Sequence, residues 1–148
     1  MPPSRTPEPL VGVHLPARIE NLSQFIAPML VEAEKAGIPE SRRGDLELAL
    51  EESLVNIINH AYAGGIGDVG ISCRVGDGRL VIRIEDEGIA FSVTDAAPPD
   101  LSSDLTAREV GGLGIHLVKS LMDEVGYRRE GGRNILDLIV FIESGTDT

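Results

Sequence analysis

The chain has 148 residues, of which 42% are hydrophobic and 25% charged, a composition typical of one globular domain with a single core. Its net charge of −11 would repel phosphates, so we expect no direct binding to nucleic acid and a better fit to a basic protein partner. No apolar run approaches the roughly 20 residues that span a bilayer, and the single cysteine, Cys73, excludes an intrachain disulfide and a cysteine metal cluster, so a cytoplasmic location without membrane contact is the default expectation.

The first half of the chain predicts a leader, one strand and two helices. Residues 1–9 are rich in proline and are expected to form a flexible leader, and Leu10–Leu15 alternates apolar and polar positions as a strand does. Ile19–Ala36 has the apolar spacing of a helix, in which Pro28 predicts either a kink or a later start of the regular helix. A second helix follows and runs to about Ala63.

The second half predicts a hairpin, a long loop, a helix and two strands. In chain order these are the strand Val69–Val75, the turn Gly76-Asp77-Gly78, the return strand Leu80–Ile84, the loop 92–110, the helix Gly114–Val125 and strands at 126–129 and Asn134–Ile142. The last strand is apolar at odd- and even-numbered positions alike, apart from Asp137. This pattern indicates a central strand covered on much of both faces.

This order of elements predicts the fold class. We expect an α+β fold, a two-layer sandwich in which helices cover one face of a mixed or antiparallel sheet. One domain would occupy residues 10–143, and residues 144–148 would form a C-terminal tail.

A polar stripe runs along the second predicted helix, within the stretch ALEESLVNIINHAY. Glu52, Asn56 and His60 recur at a spacing of four and drift by only about 40° per step around the helix axis, and Asn59 lies beside them. Burying a carboxylate and an amide without partners costs several kcal/mol. The stripe therefore either faces water or lines a polar cavity.

The stretch RLVIRIEDEGIAF places an acidic residue at the end of a strand. Asp86 is in phase with Ile82 and Ile84, so it points inward if they do, and a buried carboxylate needs a donor such as a ligand amine. Gly88 then allows the chain to turn and a ligand to approach the backbone. A strand followed by an ordinary acidic turn is the alternative.

The stretch GGLGIHLVKSL leads three glycines directly into a helix. Free amides at a helix start form an anion site, although the Lys-Ser/Thr ending of the P-loop is missing here. Its place after the long loop predicts a lid whose hinge contacts phosphate. A simple cap or hinge is the alternative.

Together, in this order, the three stretches resemble the GHKL ATPase superfamily of gyrase, heat-shock chaperones, histidine kinases and mismatch-repair proteins. More closely they resemble the bacterial anti-sigma-factor serine kinases. LALEESLVNIINHAY is similar to the asparagine box, Asp86–Phe91 to the first glycine box and Gly111–Leu117 to the second, and the resemblance covers roughly residues 10–143. Ala90, where histidine kinases usually have glycine, argues against that branch.

The resemblance implies roles for particular side chains. Asn56 would coordinate the Mg²⁺ that bridges the phosphates of ATP, and Glu52 would be the general base, with Glu51 as the alternative. Asp86 would accept a hydrogen bond from the adenine amino group, and Gly88 would admit the purine.

The resemblance also defines a wider nucleotide site. The implied nucleotide-binding residues are Asn56, Asn59, His60, Asp86, Gly88, Phe91, Arg108, Gly111, Gly112, Leu113, Gly114 and Ile115. The backbone amides of residues 112–114 would hold the phosphates. Arg108, the basic residue of the long loop, would either fold onto the γ-phosphate or remain a solvated loop cation.

By resemblance, the chain is an ATP- and Mg²⁺-dependent serine/threonine kinase that also binds a sigma factor. Its substrate would be an anti-sigma-factor antagonist in a partner-switching pathway, and the kinase would be a homodimer. Two alternatives remain open: a module that binds nucleotide and a protein partner without phosphotransfer, and an ATPase regulator outside sigma control.

Overall fold

A computed structural model of the chain describes residues 10–62, 66–88 and 116–142. Its elements are β1 (Val11–Pro16), a 3-10 turn (Ile19–Asn21), α1 (Leu22–Lys35), α2 (Glu40–His60), β2 (Asp68–Gly76), β3 (Arg79–Asp86), a helical segment at 116–121, β4 (Glu124–Glu130) and β5 (Arg133–Phe141). The predicted order of helices and strands in the described ranges and the α+β fold class are confirmed. The predicted leader 1–9, loop 92–110 and tail 144–148 lie outside the described residues.

The strands form one five-stranded sheet in the order β1-β2-β3-β5-β4, and every neighbouring pair is antiparallel. The predicted hairpin joins β2 to β3 through Asp77 and Gly78, whose φ angles of 55° and 74° fit a turn that follows the twist of the strands. Strand β5 was predicted to be central; it lies between β3 and β4 and is therefore interior, but β3 holds the central position.

The core lies between one face of the sheet and the helices. Its largest fully buried side chains come from both layers: Phe25, Met29, Leu46, Leu50 and Leu54 from α1 and α2, and Ile71, Leu80, Ile82, Ile84 and Leu138 from the sheet. Val118 and Met122 extend this core toward β4. The opposite face carries ion pairs, among them Arg83–Asp137 at 2.8 Å.

Helix α1 continues through its proline. It begins at Leu22, after the 3-10 turn, and Pro28 lies inside it, so the alternative of a later helix start is wrong. A proline removes one backbone hydrogen bond from a helix interior. Burial of Phe25, Ile26 and Met29 against the core offsets that loss.

The helix predicted to reach Val125 ends earlier, at Leu121, and Val125 lies in β4. The guanidinium of Arg42 donates a hydrogen bond to the carbonyl oxygen of Leu121 at 3.0 Å. The carboxylate of Asp123 accepts one from the backbone N–H of Phe141 at 2.7 Å. These long-range bonds end the helix and start the pairing of β4 with β5.

Within the described residues, no helix is long and apolar enough to cross a membrane. The thiol of Cys73 is buried in β2, and this burial raises its pKa to about 11, so it remains protonated at neutral pH.

Candidate nucleotide site

Helix α2 carries the polar stripe on the flank of its buried face. The buried residues of α2 are Leu46, Ala49, Leu50, Ser53, Leu54 and Ile57. Glu52, Asn56 and His60 are half-buried beside them, and Asn59 is exposed. The stripe thus lies at the margin of the core, which is where a wall of a polar cleft would be.

The contacts of Arg42 show which neighbour this flank faces. Arg42 bonds to Leu121 and Asp123, at the end of the helical segment 116–121. At 100° per residue, Asn56 lies only about 40° around the axis of α2 from Arg42. The polar stripe is therefore on the side of α2 that faces this segment, and α1 packs elsewhere on α2.

The side-chain carbonyl of Asn56 has an unusual environment. Its Oδ1 atom is buried and has no hydrogen-bond partner among the described residues. A buried polar atom without a partner is costly, and such atoms in native proteins usually have a ligand, an ion or a water to bind. A neutral amide oxygen is a suitable ligand for Mg²⁺, so this residue fits the metal that the resemblance implies.

The structure separates the two neighbouring glutamates. Glu51 lines a groove between α1 and α2. Glu52 lies on the other flank, one helical turn before Asn56, which places their Cβ atoms about 6 Å apart. The geometry therefore favours Glu52 as the carboxylate that shares a wall with Asn56.

Asp86 is buried, as its phase along the strand predicts, with only 5% of its surface exposed. Its Oδ1 accepts hydrogen bonds from the backbone N–H of Gly88 at 2.8 Å and from Nδ2 of Asn134 at 2.9 Å. Within the described residues these bonds use Oδ1 alone. Oδ2 can therefore accept a hydrogen bond from a ligand amino group.

Asn134 is itself held in one orientation. Its Oδ1 accepts hydrogen bonds from the hydroxyl of Tyr127 at 2.5 Å and from the guanidinium of Arg129 at 3.0 Å, so its NH₂ group is directed toward Asp86. Arg129 also donates to the carbonyl oxygen of Gly88 at 3.1 Å. This network fixes both the carboxylate and the glycine that follows it.

Asn134, Arg129 and Tyr127 were not predicted from the sequence as site residues. Asn134 lies directly opposite Asp86 in the β3–β5 register. That register depends on which strands pair, and the alternation of residues within a strand does not reveal its partner. A polar residue at the start of an otherwise apolar interior strand was the signal available.

Gly88 meets the C-terminal end of α2. A Cβ atom at this position would lie 2.1 Å from the carbonyl oxygen of Ala61, the residue after His60. Nearby, the hydroxyl of Tyr62 accepts a hydrogen bond from the backbone N–H of Glu87 at 2.8 Å, which ties the end of β3 to this helix. The structure thus brings Asp86 and Gly88 to the same helix that carries Glu52 and Asn56.

We expect the substitution Gly88→Ala to move the end of α2 away from β3. Overpacking of this kind costs about 1–3 kcal/mol, so thermal denaturation should show a melting temperature lower by about 5 °C. The control is Gly126→Ala, because a Cβ atom at Gly126 meets nothing within 4 Å. Equal melting temperatures for the two variants would show that the contact with Ala61 is unimportant.

The remaining predicted site residues lie outside the described part of the chain. They are Phe91, Arg108, Gly111, Gly112, Leu113, Gly114 and Ile115. Of the predicted site, the structure places Glu52, Asn56, Asn59, His60, Asp86 and Gly88.

The described structure is an α+β domain in which one helix carries an amide and a carboxylate on the same flank, and the C-terminal end of that helix packs against a buried acidic strand end. The model of the histidine kinase-like ATPase domain family matches residues 15–140. The chain belongs to that family, which confirms the predicted GHKL-type fold and the use of ATP.

Two of the similar proteins are serine-protein kinases of Bacillus species. Serine-protein kinase RsbW of Bacillus thuringiensis (strain Al Hakam) is 26% identical over 130 residues, covering 85% of this chain and 81% of that protein. RsbW of Bacillus anthracis matches with the same identity and coverage.

Two solved structures share the fold. The RsbU and RsbW domains of Rv1364c from Mycobacterium tuberculosis match with a TM-score of 0.58 and 19% identity, covering 90% of this chain and 33% of that chain. The present chain thus spans about a third of that larger one. The SiaB–SiaC complex from Pseudomonas aeruginosa matches with a TM-score of 0.55 and 17% identity, covering 90% and 91% of the two chains.

Proposed function

We propose that this protein is an ATP- and Mg²⁺-dependent serine/threonine kinase and anti-sigma factor. Its substrate is an anti-sigma-factor antagonist, which it phosphorylates on a serine or threonine hydroxyl. Membership of the ATPase family and the similarity to serine-protein kinases support this proposal. The observation that carries it is the buried, unpartnered Oδ1 of Asn56 on the same flank of α2 as Glu52.

Each placed residue has a task in this proposal. Oδ1 of Asn56 holds Mg²⁺, which when bound neutralises charge on the phosphates. The carboxylate of Glu52 orients the attacking hydroxyl and takes its proton. Asp86, oriented by Asn134, accepts a hydrogen bond from the amino group of adenine and thereby selects ATP.

The proposed partners follow from the same family. The unphosphorylated antagonist binds the kinase and releases the sigma factor, and phosphorylation of the antagonist reverses this exchange. The kinase acts as a homodimer. An acidic surface, with a net charge of −11, suits a basic partner such as a sigma factor, which itself binds DNA.

Incubation of the purified protein with labelled ATP, Mg²⁺ and candidate antagonists tests the proposal. Transfer of label to a serine or threonine of the antagonist, lost on removal of Mg²⁺, is the expected result. Nucleotide binding without transfer to any candidate would instead support the alternative of a regulatory module that binds a partner without phosphotransfer.

The hydrogen bond between Asn134 and Asp86 predicts a role in base selection. We expect Asn134→Ala to weaken Mg-ATP binding by about 10-fold, since Asp86 loses a buried donor. Discrimination between ATP and GTP should fall with it, as measured by calorimetric titration with each nucleotide. The matched control is Asn21→Ala, which removes a hydrogen bond to Pro16 outside the site. Unchanged selectivity for ATP in Asn134→Ala would contradict the assigned role.

A further inference from the structure

An apolar groove lies between α1 and α2, on the flank of α2 opposite Asn56. It has a volume of about 360 Å³. Leu22, Ile26 and Leu30, spaced one turn apart on α1, form its floor, and Ile19 extends it at one end. Ile19 is 57% exposed. Leu22 and Leu30 are half-buried and Ile26 is buried, so the apolar surface of the groove that is open to solvent comes from Ile19, Leu22 and Leu30. An apolar surface of this kind is typical of a site that binds a protein.

The rim of this groove is acidic. Glu47 and Glu51 lie one helical turn apart on α2, and Glu20 lies beside Ile19 on the 3-10 turn. Within the described residues, neither Glu47 nor Glu51 has a cationic side chain within ion-pair distance, and Glu20 reaches only the exposed Arg18 at 4.0 Å. The charges of this rim are therefore available to a partner that carries positive charge.

The dimensions suit a helix. The helical face from Ile19 to Leu30 is about 16 Å long at 1.5 Å per residue, which matches three turns of a partner helix. Glu47 and Glu51 are spaced so that two cations one turn apart on that helix could pair with both. An amphipathic helix laid into an apolar groove is a common mode of recognition.

We propose that this groove between α1 and α2 is a docking site for a basic amphipathic helix of a protein partner. Its apolar face covers Leu22, Ile26 and Leu30, and its lysine or arginine side chains pair with Glu47 and Glu51. The proposal extends the proposed function by assigning a surface and a chemistry to one protein partner. Because the groove is on the other flank of α2 from Asn56, docking there leaves the nucleotide site open.

A fluorescent synthetic peptide of about 18 residues tests the proposal, with leucines on one helical face and lysines at its borders. A second peptide has glutamate in place of every lysine. Fluorescence anisotropy should show saturable binding of the basic peptide and at least about 10-fold weaker binding of the acidic one. In the double variant Glu20→Lys/Glu47→Lys, affinity for the basic peptide should fall by at least about 10-fold.

The control is a second double variant with the same net charge as Glu20→Lys/Glu47→Lys. Glu34→Lys/Glu40→Lys alters exposed glutamates that do not line the groove, and it should change the affinity by less than about 2-fold. The neutral substitution Ala27→Gln partly fills the floor of the groove and should weaken binding about 5-fold without any change of charge. Glu51 is left in place because it is the alternative catalytic base.

Three results would overturn the proposal: equal weakening in both charge variants, equal binding of the two peptides, or no saturable binding of the basic peptide. A change of oligomeric state in Glu20→Lys/Glu47→Lys by sedimentation, without peptide binding to the unaltered protein, would show that a second copy of the chain occupies the groove instead. Mg-ATP affinity should be the same in all of these variants. Failure of the unaltered protein to bind Mg-ATP would count against the proposed function and not against the groove.

Discussion

Replacing Asn56 by alanine is expected to abolish Mg-ATP binding, with a loss of at least about 100-fold in affinity. The substitution removes a side-chain oxygen of α2 that is buried and has no hydrogen-bond partner among the described residues. Calorimetric titration with Mg-ATP measures the loss. A parallel titration of the unaltered protein with ATP and a chelator should show that its binding of ATP depends on Mg²⁺.

The same substitution should not destabilise the fold. Removal of an unsatisfied buried oxygen relieves a desolvation cost, so the melting temperature of Asn56→Ala without nucleotide should be unchanged or higher. A lower melting temperature would indicate that Asn56 has a structural partner, and unchanged Mg-ATP affinity would show that its oxygen is not a metal ligand.

Replacing Glu52 by alanine is expected to leave nucleotide binding intact and to slow the phosphotransfer step. Mg-ATP affinity should remain close to that of the unaltered protein, while phosphotransfer falls by at least about 100-fold because the attacking hydroxyl loses its base. Single-turnover transfer of label from ATP to the antagonist measures the rate of the chemical step.

Glu51→Ala is the matched control, because it removes the neighbouring carboxylate from the opposite flank of α2. It should retain phosphotransfer. The reverse outcome, transfer retained by Glu52→Ala and lost by Glu51→Ala, would move the base to Glu51 and would require α2 to present its other flank to the nucleotide.

Local features of this fold were predictable from the sequence. Alternation in β2 and β3, the turn at Asp77-Gly78 and the inward phase of Asp86 all follow from interactions between residues near in sequence. The polar stripe of α2 was likewise visible, because a helix places every fourth residue on one side. Its position at the margin of the core is consistent with the predicted cavity wall.

Features that depend on distant contacts were not predictable in the same way. The helix predicted to reach Val125 ends at Leu121, where Arg42 binds its last carbonyl from another element. Asn134 was not recognised as the partner of Asp86, because the register between β3 and β5 joins segments far apart in sequence. The position of Glu51 in the groove was also not predictable, because it depends on how α1 packs against α2.

Helix α2 thus divides the described surface into two regions of different chemistry. One flank carries Glu52 and Asn56, the residues that we propose act on the nucleotide and its metal. The other flank carries Glu47 and Glu51 above an apolar groove. Substitutions on the two flanks should therefore affect nucleotide and helix binding independently.

Titration of the unaltered protein with Mg-ATP, followed by hydrogen exchange of backbone amides, tests the central claim most directly. We predict saturable, Mg²⁺-dependent binding that slows exchange at residues 86–88 and in the second half of α2. If no binding is seen up to about 1 mM Mg-ATP, the binding free energy is weaker than about −4 kcal/mol. That result would contradict the account. Protection confined to other segments would contradict it equally.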